Sequence, residues 1–420
     1  MTLCIKNARH LEAPVDLLVD GDRILTMTPA GHHAAPGGCE IFDAHGLTLM
    51  PSFIDAHVHL REPGFEYKED IASGLEAAAH GGFGAVMCMA NTKPVNDTAA
   101  VTRFMLERAR ESHPHGPRLH PIAAASVGLK GEEMAPLAEL RQAGCVAVSN
   151  DGRPVENAEL LRRIMEYAAD LDLIFIDHCE DARLGRGWLM NEGTVSGLLG
   201  VKGQPDVGEA VQIARDVMLA EYLHLPVHIA HVSSSLSVDV IAWGKARGVQ
   251  VSAETCPHYL LLDESALEGY NTAAKVSPPL RRPEDREALR RAVKDGTIDI
   301  LVTDHAPHAA HEKEGTLDEA PCGLTGLDLA VSLTWALVRE GVLAEADLQR
   351  LWCRRPAEIF RLPWNGFAPG DPADFFLLDP DEVWTPGPET MYSKSRNTPF
   401  LGRSLYGRVK HHWLGGQRLF

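Results

Sequence analysis

The sequence contains no Cys-x-x-Cys pair. Its 8 cysteines, at positions 4, 39, 88, 145, 179, 256, 322 and 353, are scattered through 420 residues. That spacing argues against a zinc ribbon or a disulfide framework, and reduced thiols in a cytoplasm are the expectation. No uninterrupted apolar run reaches membrane-spanning length. Residues 1–7 lack the apolar core of a signal peptide. Positive charge is scarce: 40 Lys and Arg stand against 58 Asp and Glu, a formal net charge of −18. Such a chain is a poor partner for nucleic acid or an anionic membrane surface, although one or two local arginines can still hold a small anionic substrate. There is no internal repeat and no low-complexity run.

The rest of the composition is that of a globular protein, 45% hydrophobic and 23% charged. Short β-branched runs alternate with helical stretches. Strands are predicted near 52–59, 83–91, 119–126, 145–150, 173–178, 227–231, 250–255 and 298–304. Helices are predicted at 71–80, 99–112, 132–143, 157–169, 208–222, 236–247 and 283–295. Eight alternating strands over this span predict an α/β fold of the (β/α)8 TIM-barrel type, residues 51–365. Residues 1–50 and 366–420 carry short alternating segments broken by Gly and Pro. Neither end is long enough alone, so together they are expected to form one small β-sandwich domain. The loops after 179 and after 304 are long, and barrel function resides in such loops.

Histidine is plentiful, with 20 residues. His57 and His59 end the first predicted strand, and a period of two sends both imidazoles to one face. Asp151 follows the fourth strand, His178 ends the fifth, His231 the sixth and Asp304 the eighth. Five strands thus deliver ligand-type residues to one end of the barrel. The set offers only N and O donors, which suits zinc and its neighbours, and a carboxylate can bridge two ions. Metal-assisted hydrolysis follows, with the surplus carboxylate as proton shuttle. On the same rim, Arg61 suits a substrate carboxylate, Asn91 can hydrogen-bond, and His308 can bind an anion or polarise a carbonyl.

Other features carry less. Gly81-Gly82-Phe83-Gly84 precedes a strand instead of opening a helix, so it is not a phosphate loop. His32-His33 and His411-His412 are expected at the surface, and His113 and His115 in solvent. Cys256 and His258 are expected to pack near the site.

The motifs Asp55-Ala56-His57-Val58-His59-Leu60-Arg61-Glu62-Pro63-Gly64, Met89-Ala90-Asn91-Thr92-Lys93-Pro94, Asn150-Asp151-Gly152 and His231-Val232-Ser233-Ser234 belong together. So do Lys275-Val276-Ser277-Pro278-Pro279-Leu280-Arg281, Thr303-Asp304-His305-Ala306-Pro307-His308 and Ala320-Pro321-Cys322-Gly323-Leu324-Thr325-Gly326-Leu327. With them the chain resembles the dihydroorotases of the amidohydrolase superfamily, from about residue 2 to its end. The resemblance implies reversible cyclisation of N-carbamoyl-L-aspartate to L-dihydroorotate in pyrimidine synthesis. It implies one or two zinc ions, two being favoured. His57 and His59 would hold one, His178 and His231 the second, Asp151 would bridge them, and Asp304 would bind metal and act as general acid/base. Arg61, Asn91 and His308 would hold the substrate carboxylate, with Cys322 and Gly323 offering backbone contacts to the ring. A homodimer, and in some relatives a complex with aspartate carbamoyltransferase, are implied as well.

Two departures stand out. Many relatives bridge their metals with a carboxylated lysine, but no Lys occurs from 131 to 201. Asp151 fits a branch that uses Asp, and position 150, commonly Asp there, is Asn. Ser277 stands on the substrate side where the family usually has Asn, and its shorter side chain reaches less far. The alternatives are a related cyclic amidase, such as an allantoinase or hydantoinase, with Glu254-Thr255-Cys256-Pro257-His258 pointing that way, or a silent partner of the transferase.

Overall fold

Eight short parallel strands carry the apolar runs, each paired to the next: Phe53–Val58, Phe83–Cys88, Arg118–Ala124, Ala147–Ser149, Ile174–Asp177, Val227–Ile229, Val251–Thr255 and Ile300–Leu301. A parallel bridge between Val58 and His305 brings the first and last strands together, reinforced by the His59 amide on the His305 carbonyl at 2.8 Å. This computed structural model describes residues 2–32 and 36–420. Among them, no helix is long and apolar enough to cross a membrane.

The helices between the strands form for local reasons. In Ala158–Asp170, Leu161, Ile164, Met165 and Ala168 are buried, an i, i+3, i+4, i+7 stripe facing the barrel. Asn157 caps this helix by accepting from the Glu159 and Leu160 amides. The helix expected at 132–143 begins only at Leu137. Pro136 stands at its N-cap and steers the preceding residue away from helical dihedrals. The long segment after the fifth strand is folded. A two-stranded pair, Met190–Asn191 with Gly203–Gln204, flanks the helix Thr194–Leu199. Buried Arg281 ties this segment down through Asn191, Gln204 and Ser233.

Both chain ends join one eight-stranded sheet, with Thr48–Pro51 antiparallel to Phe375–Trp384. The sheet curls so that its Arg23 edge bridges Pro372. It encloses its own core, which includes Ile5, Leu17, Leu49, Phe375 and Trp413.

The barrel is plugged at one end. Phe53 and Phe83 open their strands. Phe53 stacks on Trp352 at 5.5 Å and meets Phe376 of the β-unit edge-on at 5.1 Å. With the N-terminal mouth filled by aromatic rings, the polar residues collect at the other end. Gly81, Gly82 and Gly84 belong to this packing: a Cβ on Gly81 would lie 2.2 Å from the Leu327 carbonyl oxygen, and one on Gly84 2.8 Å from Ser52 Cβ.

Two histidine expectations need correcting. His412 is fully buried, not at the surface. It joins the β-unit to the barrel through Ser52 Oγ at 2.8 Å and the Ala79 carbonyl at 2.7 Å, and burial pushes its pKa down to about 4. His113 is half-buried, with Nε2 donating to the Ala72 carbonyl at 2.9 Å. His33 lies outside the described residues. Replacing His412 by Ala strands Ser52 Oγ and the Ala79 carbonyl in a dry junction. The expected cost is about 2–4 kcal/mol, read as a lowered Tm in calorimetry with kcat and KM unchanged. An unaltered Tm would contradict the role of His412 as a joint.

Candidate metal centre and active site

The donors that converge at the open end stand one to three residues beyond the strands. The ladders end at Ser149, Asp177, Ile229 and Leu301, and the side chains in question are Asp151, His178, His231 and Asp304. Leaving the ladder lets the backbone turn toward the barrel axis. His231 and Asp304 do so at φ 32° and 45°. Such dihedrals in residues with a Cβ persist only where the surroundings hold them.

Asp151 lies at the centre. Its Oδ1 is 3.5 Å from His57 Nε2, 3.4 Å from His178 Nδ1 and 3.6 Å from His231 Nε2, and its Oδ2 is 3.6 Å from His59 Nε2. Asp304 Oδ1 adds contacts of 3.6 Å to His57 Nε2 and 3.2 Å to His59 Nε2. The donors form two triads, His57–His59–Asp151 and Asp151–His178–His231, which share the carboxylate. Most of these separations are too long for ordinary hydrogen bonds. Donors each about 2.1 Å from a tetrahedral ion lie roughly 3.4 Å apart, which is the spacing seen here.

The tautomers agree with a metal. His57 Nδ1 donates to Glu254 Oε1 at 2.7 Å, which leaves Nε2, fully buried and without a hydrogen-bond partner, for a metal. His59 Nδ1 donates to Asn91 Oδ1 at 2.8 Å, and His178 Nε2 donates to Glu180 Oε2 at 3.3 Å. Three of the four imidazoles thus have the far nitrogen tied to an acceptor and the near one turned toward Asp151, an arrangement that orients metal-ligating histidines. A divalent cation fits these residues.

Charge is balanced to match. Burial raises the Asp151 pKa, but His57, His178 and His231 outweigh it and hold the group well below the carboxylate range. Asp304 is likewise lowered against burial, through its bond to His59 and the nearby imidazoles. Glu254, two residues before Cys256, was missed in the sequence. Besides His57 it receives His228 Nε2 at 3.0 Å and the His231 amide at 3.3 Å. A carboxylate inside an apolar barrel strand was the available signal. Asp55 was missed too. It lies two residues before His57 and accepts from the Thr303 amide at 3.1 Å, while burial lifts its pKa to about 7.

A cavity of about 270 Å³ opens over the centre, and Arg61, Asn91, Ser277, His308, Cys322 and Gly323 line it together with the metal-side donors. Arg61 donates Nε to the Pro307 carbonyl at 3.1 Å. Asn91 also donates Nδ2 to Asp151 Oδ2 at 3.2 Å, so its amide already aligns two donors. His308 has both ring nitrogens engaged, Nε2 with the Cys322 carbonyl at 2.9 Å and Nδ1 with Lys68 Nζ at 3.3 Å. Burial first, then Arg61, Lys68 and Lys313, lower its pKa to about 2, so the ring is neutral. Cys256 and His258 are buried below the cavity, and His258 Nε2 lacks a partner.

A family model for dihydro-orotase-like proteins matches residues 46–237. The chain is 45% identical over 405 residues to a dihydroorotase of Syntrophus aciditrophicus, covering 96% of this chain and 94% of that protein. It is 47% identical over 394 residues to a dihydroorotase of Desulforapulum autotrophicum, covering 94% and 92%. In backbone it is similar to the L-hydantoinase (dihydropyrimidinase) of Arthrobacter aurescens, with a TM-score of 0.87 over 99% of this chain and 95% of that one. At 21% identity that similarity is one of fold. The near-full-length identities say more than the fold does, and by them the chain belongs to the dihydroorotase family.

Proposed function

We propose that the chain is a zinc-dependent dihydroorotase in which Asp151 would be common to two metal sites. It interconverts N-carbamoyl-L-aspartate and L-dihydroorotate. The observation that carries the reading is the convergence of a double histidine–carboxylate cluster and Arg61 on one cavity. When bound, the metal supplies Lewis acidity and a nucleophile at neutral pH. His57 and His59 would hold one ion and His178 and His231 the other, with Asp304 beside the first pair.

The remaining steps belong to the protein. Arg61 grips the substrate carboxylate with the N–H groups not used on Pro307. Asn91 and His308 stand beside it, the His308 Nε2–H exchanging the Cys322 carbonyl for the substrate. Ser277, Cys322 and Gly323 flank the ring. In hydrolysis, Asp304 takes a proton from the attacking water and delivers it to the ring nitrogen as the C–N bond breaks. In cyclisation the side-chain carboxyl reacts as the protonated acid, its proton drawn from solvent; Asp304 takes a proton from the carbamoyl nitrogen as it attacks the carboxyl carbon and gives it to the departing hydroxyl, which leaves as water. The family relation extends the proposal to a homodimer and to association with aspartate carbamoyltransferase in a cytoplasm, a setting compatible with the free thiols. The cluster retains every donor it needs, which favours an active enzyme over a silent subunit.

Three outcomes are expected. Asp304→Asn should lower kcat for dihydroorotate by at least about a hundredfold, the usual weight of a general acid/base, with Tm retained; near-normal turnover would remove Asp304 from the proton path. Arg61→Met should raise KM by about tenfold or more through loss of a charge-assisted pair, with a smaller effect on kcat; an unchanged KM would place the carboxylate elsewhere. The third concerns metal uptake. Without a cation, protons take its place: burial lowers the His178 pKa, but Asp151 and Glu180 raise it to about 10. His57 is likewise raised by Glu254 and Asp151 against burial. A metal must displace such protons, so below pH 10 zinc affinity should fall about tenfold per pH unit for each proton displaced. Competition against a chelator at several pH values reads this slope, and a flat profile would contradict it.

A further inference from the structure

Two lysines behind one cavity wall are buried, 6% and 8% exposed, with only neutral acceptors on their ammonium groups among the described residues. Lys313 ends the helix Ala310–Lys313 and donates to the carbonyls of Thr272 at 3.0 Å, Lys275 at 3.3 Å and Pro321 at 2.7 Å. Lys275 donates to the carbonyls of Leu317 at 2.6 Å and Ala320 at 2.7 Å. Of the two carboxylates flanking Lys313 in sequence, Glu312 is turned to Lys68 at 2.8 Å and Glu314 is exposed. Carbonyl groups satisfy N–H donors, but they do not neutralise a charge. A buried ammonium without a counter-charge costs several kcal/mol, and an uncharged donor would bind carbonyls without that cost.

These lysines adjoin the wall of the cavity formed by Cys322 and Gly323. Lys313 holds Pro321, the residue before Cys322, and the Lys275 carbonyl receives the Gly323 amide at 2.9 Å. Gly323 sits at φ 132°, and a Cβ there would lie 2.7 Å from Ala306 Cβ, so the backbone itself forms the wall. His308 responds to Arg61, Lys68 and Lys313, and Cys322 to Lys275 and Lys313. Cationic side chains thus border the part of the cavity lined by His308, Cys322 and Gly323.

We propose that Lys275 and Lys313 are positioning residues that make the site select carboxylated rings. The field of two buried ammonium groups bonded only to carbonyls, and the Cys322–Gly323 backbone they hold, place the substrate carboxylate against Arg61. The proposal rests on the dihydroorotase reading above. No carboxylate pairs directly with either lysine among the described residues, and the substrate brings one to the wall they support. Supporting this, burial lowers the Lys313 pKa to about 8, with Lys275 acting in the same direction and Cys322 and Glu312 against it.

The test uses the full-length, zinc-loaded enzyme with Lys313→Met and Lys313→Arg, dihydroorotate as substrate and 5,6-dihydrouracil, the same ring without the carboxylate, as competitor. Lys313→Met should raise KM for dihydroorotate about tenfold while kcat stays within about threefold. Lys313→Arg keeps the charge and should restore KM to within about threefold of wild type. The inhibition constant of the neutral ring should move in neither variant. An unchanged KM in Lys313→Met, an equal loss for both rings, or an equal loss in both variants overturns the proposal. Should Lys313→Met not fold, Lys275→Met is measured in the same way. A second reading needs no variant: wild-type KM for dihydroorotate should rise above pH 8 as Lys313 loses its proton, while the neutral ring's inhibition constant stays flat. The charged and titratable groups facing Lys313 in that window are Lys275, Cys322, Glu312 and His308, with Lys68 and Arg61 beyond them. A flat KM up to about pH 9.5 overturns the proposal. A wild-type enzyme that turns over no dihydroorotate removes the functional reading itself, whereas effects confined to the variants concern the lysines alone.

Discussion

One carboxylate, that of Asp151, faces four buried imidazoles. Brought out of water together, these groups repel or desolvate one another unless a negative charge lies between them and cations or protons lie among them. Much of the rest of the site serves that arrangement. Glu254, Asn91 and Glu180 take the outward nitrogens of His57, His59 and His178. Positive φ at His231 and Asp304 brings strand-end residues onto the axis. The aromatic plug of Phe53, Phe83, Trp352 and Phe376 closes the opposite mouth, so the barrel can keep a polar end without losing its core.

The chain's C-terminal part takes part in this architecture at a distance. Asn397 receives the His308 amide at 2.9 Å and donates to the carbonyls of Ala306 at 3.1 Å and Gly323 at 3.0 Å. Glu69, fully buried, joins His305 to Ser393 and the Lys394 amide. The loops that carry Asp304, His308 and Gly323 are therefore held from behind by a segment that lies between the barrel and the last strands of the β-unit. Rigidity of this kind is what a site of fixed charges needs, because preorganised dipoles and cations act without reorganising when the substrate enters.

Much of the metal side was legible in the sequence, because a barrel strand's end is a predictable place. Period two put His57 and His59 on one face, and the alternation of elements put Asp151, His178, His231 and Asp304 at the same mouth. The rest of the cavity lining was legible mainly through Arg61 and the 303–327 motif. Less legible were residues whose role depends on a distant partner. Glu254 carried no assigned role in the sequence, because its partners His57 and His228 are distant in the chain. His412 read as surface because its paired-histidine context is polar, yet the junction with Ser52 and Ala79 buries it. Asn91 read as a hydrogen-bonding residue of the rim, but not as one whose amide is engaged at both ends, by His59 and Asp151.

By itself, then, the sequence determined the barrel, the pairing of the chain ends and the list of metal-type donors. These follow from local periodicity, turn residues and spacing, which act between neighbours in the chain. Tertiary structure decided which nitrogen of each histidine faces inward, which partners hold the outward ones, and where the buried lysines sit. Those outcomes depend on burial and on contacts between residues far apart in sequence, His57 with Glu254 or Lys313 with Thr272. Desolvation and long-range Coulomb terms have no signature in local pattern, and they appear only once the chain has closed around the site.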